Sequence, residues 1–298
     1  MLNTRSISKK VVTIYTNKDQ ANLAQYDHYY SFLKQFIDDG TINRADKILI
    51  VCGGRHDRDV AEKLGLKAVV ISNLDKRMEN NDQAVYQPFS WSYQDCESLN
   101  DLEQKFDFVI VHNGLHHCYS PHRALIEMYK TARKGIVVFE PIDSMITRLG
   151  VSLGIGQDYE HSAVYGNNCE FGGVANTEIP NFIYRWTKQE VQKTLATYDP
   201  TAKPRVTFRP ILRFPWNRLL GLRNRTWYYL LRPFRLILDS GGRFLPFLAN
   251  NCAFIALRPD LESDIHPWLE LSNGKIRLNR DWIRGRYRPD REGASVQQ

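Results

Sequence analysis

Lys47-Ile48-Leu49-Ile50-Val51-Cys52-Gly53-Gly54-Arg55-His56-Asp57 is the stretch whose reading decides the fold. Ile48 to Cys52 are apolar without alternation, as expected of a strand buried on both faces in the middle of a parallel sheet. Gly53 and Gly54 follow at once, and then a helical run, Asp59 to Leu64, closed by Gly65. Strand, glycine turn and helix form the opening unit of a nucleotide-binding α/β sheet: glycine lets the backbone approach a ligand, and a helix start offers unpaired N–H groups. Cys52 and His56 stand where further glycines of a dinucleotide fingerprint would be, so an ordinary strand-to-helix turn competes with this reading.

Further units follow downstream. Lys67 to Ser72 reads as a second strand ending in Asn73-Leu74-Asp75, and Ala84 to Trp91 as a short third. Gln94 to Leu99 reads as a turn before a helical stretch over 97–105. Phe106 to Val111 is a fourth strand running into His112-Asn113-Gly114-Leu115-His116-His117-Cys118-Tyr119-Ser120-Pro121. That loop lies past the carboxyl end of a central strand, where open α/β sheets bind ligands. A helix over 121–133 starts at Pro121 and stops at Arg133-Lys134-Gly135, and Ile136 to Pro141 is a fifth strand. Thr187-Lys188-Gln189-Glu190 is a capping box opening a helix to about Tyr198. Arg205 to Leu212 and Asn251 to Leu257 supply two more strands.

Upstream, Leu23, Tyr26, Tyr30, Leu33, Phe36 and Ile37 recur at helical spacing over 21–38. Such a helix either packs on the sheet or carries its tyrosines over the pocket as a lid. Residues 1–44 thus form a helical lead-in, 45–141 the core unit, 142–186 a glycine-punctuated cap insertion, 187–258 the remainder of the fold, and 259–298 an extension whose end, from about Arg284, is expected to be disordered. Tyr159, Glu160 and His161 lie in the most polar part of the 142–186 insertion.

Of the 298 residues, 43% are hydrophobic, enough for a sizeable core, and the formal charge is +7. The charge is concentrated. Lys203 to Arg258 holds eleven basic residues against one acid, Asp239, so this segment alone carries +10. Its core, 213–250, interleaves arginines with Trp216, Trp227, Tyr228, Tyr229 and many leucines. Three partners suit that composition: the sheet itself under a cap, an anionic membrane surface, or, ranked last, RNA. No run of about 18 apolar residues suggests a spanning helix, and Met1-Leu2-Asn3-Thr4-Arg5 lacks the apolar core of a secretory signal. The five cysteines, Cys52, Cys96, Cys118, Cys169 and Cys252, form no C-x-x-C pair. The chain therefore reads as cytoplasmic, with peripheral membrane contact through 213–250 as an extension of that reading. His112, His116, His117, Cys118 and His122 raise zinc as an option, but they span a strand end, a loop and a helix start, and no distant cysteine pair completes a tetrahedron. No metal is assigned.

The order of these motifs resembles the class I S-adenosylmethionine-dependent methyltransferases. The resemblance rests most on Phe106 to Val111 followed by Leu115-His116-His117 and Pro121, and on Phe139-Glu140-Pro141 after a Lys-Gly turn. It covers about residues 45–141, 187–212 and 251–258. It implies a Rossmann-like α/β fold: a seven-stranded, mostly parallel sheet with helices on both faces, the last strand antiparallel, plus inserted cap segments. It further implies that Cys52, Gly53 and Gly54 wrap the methionine part of S-adenosylmethionine, that Asn73 or Asp75 holds the ribose, that Asp95 and Cys96 meet the adenine, and that Asn113 and Gly114 line the other side. The family's usual acid at the end of the second strand is replaced here by Ser72 or Asn73.

Methyl transfer to a hydroxyl also needs a base. His116 and His117 are the candidates, since imidazole titrates near neutrality; the alternative is that one packs on the sheet and the other caps the next helix. Tyr26, Tyr30, Tyr159, Glu160 and His161 are the candidate acceptor contacts. The expected acceptor is a small molecule, a sugar or a lipid-linked intermediate. A non-catalytic binding or membrane-associated assembly protein on the same fold, and an RNA methyltransferase, are the competing readings.

Overall fold

The computed structural model describes residues 28–78, 83–102, 105–212, 216–221, 224–235 and 248–287. Seven strands form one sheet in the order β3-β2-β1-β4-β5-β7-β6. They are β1 (Lys47–Val51), β2 (Ala68–Asn73), β3 (Ser90–Tyr93), β4 (Phe106–His112), β5 (Ala132–Pro141), β6 (Arg205–Ile211) and β7 (Asn251–Leu257). β7 runs antiparallel to both β5 and β6, and the pairs from β3 to β5 are parallel. This is the Rossmann-like architecture, with the late strand 251–257 in the antiparallel position.

Alternate side chains of the central strands enter two separate cores. Ile48 and Ile50 of β1, Phe108 and Ile110 of β4, and Val137 and Phe139 of β5 pack into one; Leu49, Val51, Val109, Val111, Ile136 and Val138 pack into the other. Both faces are covered, which is why the strands read as unbroken apolar runs. The first core is shared with α1, over residues 28–38, and α2 (Arg55–Lys63); the second with α3 (Pro121–Thr131) and α6 (Lys188–Tyr198). α3 is started by Ser120, whose hydroxyl accepts from the Arg123 N–H, and by Pro121 in its first turn; α6 is capped by Thr187. Gly135 is obligatory for a packing reason. A Cβ there would lie 2.7 Å from the Ala256 carbonyl oxygen on the neighbouring β7.

Several expectations are corrected. The third strand is Ser90–Tyr93, and Gln83–Tyr86 is a 3-10 turn. The helical stretch over 97–105 shortens to a 3-10 turn at Asn100–Leu102, with 103–104 outside the described residues. β5 begins at Ala132, directly after α3. The 142–186 insertion contains α4 (Met145–Ser152) and α5 (His161–Gly166). Within 213–250, the described parts include α7 (Trp216–Gly221) and α8 (Thr226–Leu231). The extension holds an antiparallel hairpin, β8 (Leu269–Ser272) and β9 (Lys275–Leu278), then α9 (Arg280–Arg286), so helix rather than disorder continues past Arg284. Residues 288–298 lie outside the described set, as does Tyr26.

Candidate active site

The strand order reverses between β1 and β4, and the loops leaving these two strands part at that point. A cavity of about 320 Å³ opens there. Its floor includes Cys52, Gly53, Gly54, Asn113, Gly114 and His117. Asn73, Asp75, Asp95 and Cys96 line it on the β2–β3 side, and Asn167, Phe171, Gly173 and Asn176 of the insertion close over it.

Each strand-end loop is shaped by a residue in left-handed backbone, Cys52 (φ 53°) after β1 and Asn113 (φ 54°) after β4. The two glycines after Cys52 act differently. A Cβ on Gly53 would meet Ile71 at 2.8 Å and Ile50 at 3.0 Å, so Gly53 lets the loop lie on the sheet. A Cβ on Gly54 would find no atom closer than an Asp57 carboxylate oxygen at 4.0 Å; this face of the backbone is bare toward the cavity. The Gly54 N–H donates to that same carboxylate at 2.8 Å and is held in place by it. Gly114 approaches the first loop so closely that a Cβ would lie 2.4 Å from Cys52 Cβ.

Asn73 is a brace. Its Nδ2 donates to the Gly53 carbonyl (2.7 Å) and to the Tyr86 hydroxyl (3.1 Å), while its Oδ1 accepts from the Asp75 N–H (3.1 Å) and Trp91 Nε1 (3.2 Å). These four bonds use the amide's full capacity. Asp75 is gripped by Arg77 through two bonds of 2.7 and 2.6 Å, which hold its carboxyl below the usual range. The Arg77 guanidinium lies 3.4 Å from the centre of the Phe171 ring, joining the β2 loop to the roof. Asn176 adds a second tie, donating to the Leu74 carbonyl at 3.3 Å.

Glu140, wholly buried at the end of β5, organises the second loop. One of its oxygens accepts from the N–H groups of Gly114 (2.8 Å) and Leu115 (2.7 Å); the other meets His116 Nδ1 at 2.6 Å. His116 Nε2 faces Glu160 at 3.2 Å, and the same Glu160 oxygen lies 3.3 Å from His117 Nε2. Burial alone would lower the His116 pKa, but the two carboxylates outweigh it and raise it to about 10. His116 is therefore an imidazolium at neutral pH, 5% exposed and off the cavity wall. His117 behaves oppositely: burial, and then the charge of His116, lower its pKa despite Glu160, so it is neutral at pH 7. Glu160 keeps its charge, its pKa held down by the two histidines against burial.

Three thiols also converge. Cys52, Cys96 and Cys118 place their sulfurs within 4.8 Å of one another beside the cavity. Hydrogen bonding from Cys118 and Cys96 lowers the Cys52 pKa to about 5, and the other two thiols are raised.

Of the residues predicted from sequence, Cys52, Gly53, Gly54, Asn73, Asp75, Asp95, Cys96, Asn113, Gly114 and His117 meet at this cavity. His116 and Glu160 stand behind its wall. Tyr30 does not line it and packs on the first core, with Lys63 over its ring at 4.5 Å. Tyr159 is 52% exposed and pairs edge-on with Phe182, and His161 is exposed at the start of α5. Sequence reasoning passed over Arg77, Tyr86, Phe171, Asn176 and the role of Glu140. Only Glu140 had a signal, as the lone acid ending a buried apolar strand.

Residues 50–139 match the family model described as a methyltransferase domain. No curated protein matches the sequence. Among solved structures, the chain is similar to a SAM-dependent methyltransferase from Archaeoglobus fulgidus, with 13% identity over 77% of this chain and 94% of that one and a TM-score of 0.44. It is also similar to the magnesium protoporphyrin IX methyltransferase of Synechocystis PCC 6803 with bound SAH (13% identity, 78% and 84% covered, TM-score 0.45). A third is the phosphoethanolamine N-methyltransferase 2 of Haemonchus contortus in complex with S-adenosyl-L-methionine (12%, 79% and 53%, 0.45).

Proposed function

We propose that residues 50–139, which match the methyltransferase-domain model, form a class I S-adenosylmethionine-dependent methyltransferase domain, and that the chain transfers the cofactor's methyl group to a small-molecule, sugar or lipid-linked acceptor. The observation that carries this reading is the cavity at the β1/β4 switch point, with bare Gly54 backbone on one side and a neutral His117 on the other. The residues fit the cofactor: a side chain at Gly54 would fill the space it needs. S-adenosylmethionine supplies a methyl group on a sulfonium, already bonded to a good leaving group, so the protein mainly aligns.

In this reading Cys52, Gly53 and Gly54 cradle the methionine part. Asp75, ionised beside Arg77, is the ribose acceptor, because Asn73 has spent its hydrogen bonds on the loop. Asp95 and Cys96 border the adenine, and Asn113 and Gly114 the opposite wall. His117 takes the acceptor's proton. Glu160 orients the His117 ring, and His116, pinned as an imidazolium between Glu140 and Glu160, positions Glu160 rather than acting as a base. An acceptor hydroxyl or protonated amine fits a site that has a neutral imidazole to receive a proton.

A lipid-linked acceptor is favoured by a specific surface. Tyr229, Leu230 and Phe234 are 60%, 57% and 54% exposed, close in sequence to exposed Arg225, Arg232 and Arg235. No helix among the described residues is long and apolar enough to cross a membrane. Calorimetric titration with S-adenosylmethionine and with its demethylated product tests the core of the reading. One site per chain with a thermal shift is expected; no heat and no shift with a folded protein would leave the non-catalytic alternative standing.

A further inference from the structure

We propose that Cys52, Cys96 and Cys118 form a trithiolate site for a thiophilic d10 metal ion of the zinc class, built into the wall of the cavity. The three cysteines leave three different strands, β1, β3 and β4, and their sulfurs come within 4.8 Å of one another. Zinc–thiolate bonds of about 2.3 Å put tetrahedral ligands roughly 3.8 Å apart, so sub-ångström side-chain adjustments close the set. All three residues line the cavity, which leaves a fourth position facing its interior, the arrangement of zinc sites that exchange a ligand.

Packing alone does not account for this cluster. Cys52 sits at φ 53°, where a glycine would be free of strain and a side chain is costly. Room for that side chain is made on the opposite loop: a Cβ on Gly114 would lie 2.4 Å from Cys52 Cβ and 3.1 Å from its sulfur. Two loops thus conform to a side chain at position 52. Glycine there would need neither the strained backbone nor the matching gap. Cys118 is anchored as well, its sulfur 3.8 Å from the Gly114 carbonyl oxygen. The other two cysteines lie apart from the cluster. Cys169 is exposed, and Cys252 is buried against the Glu140 carbonyl. In sequence the three ligands are too far apart to form a recognisable metal motif.

The full chain, reduced and stripped of metal, is titrated with cadmium ion as the probe, following the thiolate-to-metal charge-transfer absorption. One equivalent with the intensity of three thiolates is expected. C96S and C118S should each weaken binding by about tenfold or more, while C169S and C252S leave it unchanged. In parallel, one equivalent of zinc ion should protect Cys52, Cys96 and Cys118 of the unsubstituted chain from alkylation, read by peptide mass spectrometry, and leave Cys169 reactive. This second measurement needs no variant that fails to fold. Absorption that follows Cys169, absorption that survives replacement of all three cysteines, or equal alkylation with and without zinc would each overturn the site. No cofactor enters either measurement, so a failure here is separate from a failure of the methyl-transfer reading.

Discussion

At His117 two influences oppose one another. Glu160 at 3.3 Å favours the imidazolium, whereas burial and the permanent charge on His116 favour the neutral ring and prevail. A base must be neutral to act, so turnover should fall as pH drops through a pKa lying below the ordinary histidine value of about 6.5. His117→Ala should reduce kcat by about 10²-fold or more, remove that acid limb, and leave cofactor affinity intact. A pH–rate series on both proteins reads all three; an unchanged profile would exclude His117 as the base. Gly54 supplies a separate test. Its backbone (φ −131°, ψ −169°) is open to any residue, and its Cβ direction points into space. Gly54→Leu should leave Tm nearly unchanged and abolish cofactor binding in calorimetry. Retained binding would remove this loop from the cofactor site.

Between elements, Glu140 at the end of β5 and Glu160 from the cap insertion clamp His116 from both sides. The linkage has a definite sign. The His116 pKa rises from about 6.5 in the unfolded chain to about 10 here, so its stabilisation is complete below 6.5 and is lost as pH climbs through 10. The Glu160 pKa is lowered, so its contribution is present above the unfolded carboxyl value and is lost as pH falls through the folded one. Urea unfolding should therefore show stability declining above neutral pH, and His116→Gln should flatten that limb; a parallel decline in both proteins would place its origin elsewhere. Glu140→Ala strips the partner from a buried imidazolium and from two backbone N–H groups, and should cost about 3–5 kcal/mol in the same assay.

Across the whole molecule, the segment 203–258 carries +10 against an overall +7, and the apolar side chains exposed at Tyr229, Leu230 and Phe234 lie among its arginines. Binding to vesicles containing anionic lipid is expected, weakening as salt rises, with little binding to neutral vesicles. Replacing Arg225, Arg232 and Arg235 together by glutamate should abolish co-sedimentation without altering cofactor affinity. Equal binding to neutral vesicles would point to apolar contact alone, and no binding to either would assign the basic surface to another partner.

Strands β1, β4 and β5 and the glycine turn after β1 were legible in the sequence, because burial on both faces demands an unbroken apolar run and close approach demands glycine. The part of the cavity lining that follows the strand ends was legible too, because open α/β sheets bind ligands there, whereas the lining from the insertion, such as Phe171 and Asn176, was not. The third strand was expected too early, at 84–91 instead of Ser90–Tyr93, because a short, partly exposed strand carries no such run to fix its ends; the β8–β9 hairpin escaped although Asn273-Gly274 announces its turn, both residues lying in left-handed backbone. The division of labour between the histidines was beyond reach. His116 and His117 are adjacent in sequence, and only folding puts one between Glu140 and Glu160 and the other on the cavity wall, giving them opposite charge states. Local pattern determined the sheet and the place of the pocket; tertiary structure decided which groups are charged and which thiols meet, because both depend on burial and on partners drawn from distant parts of the chain.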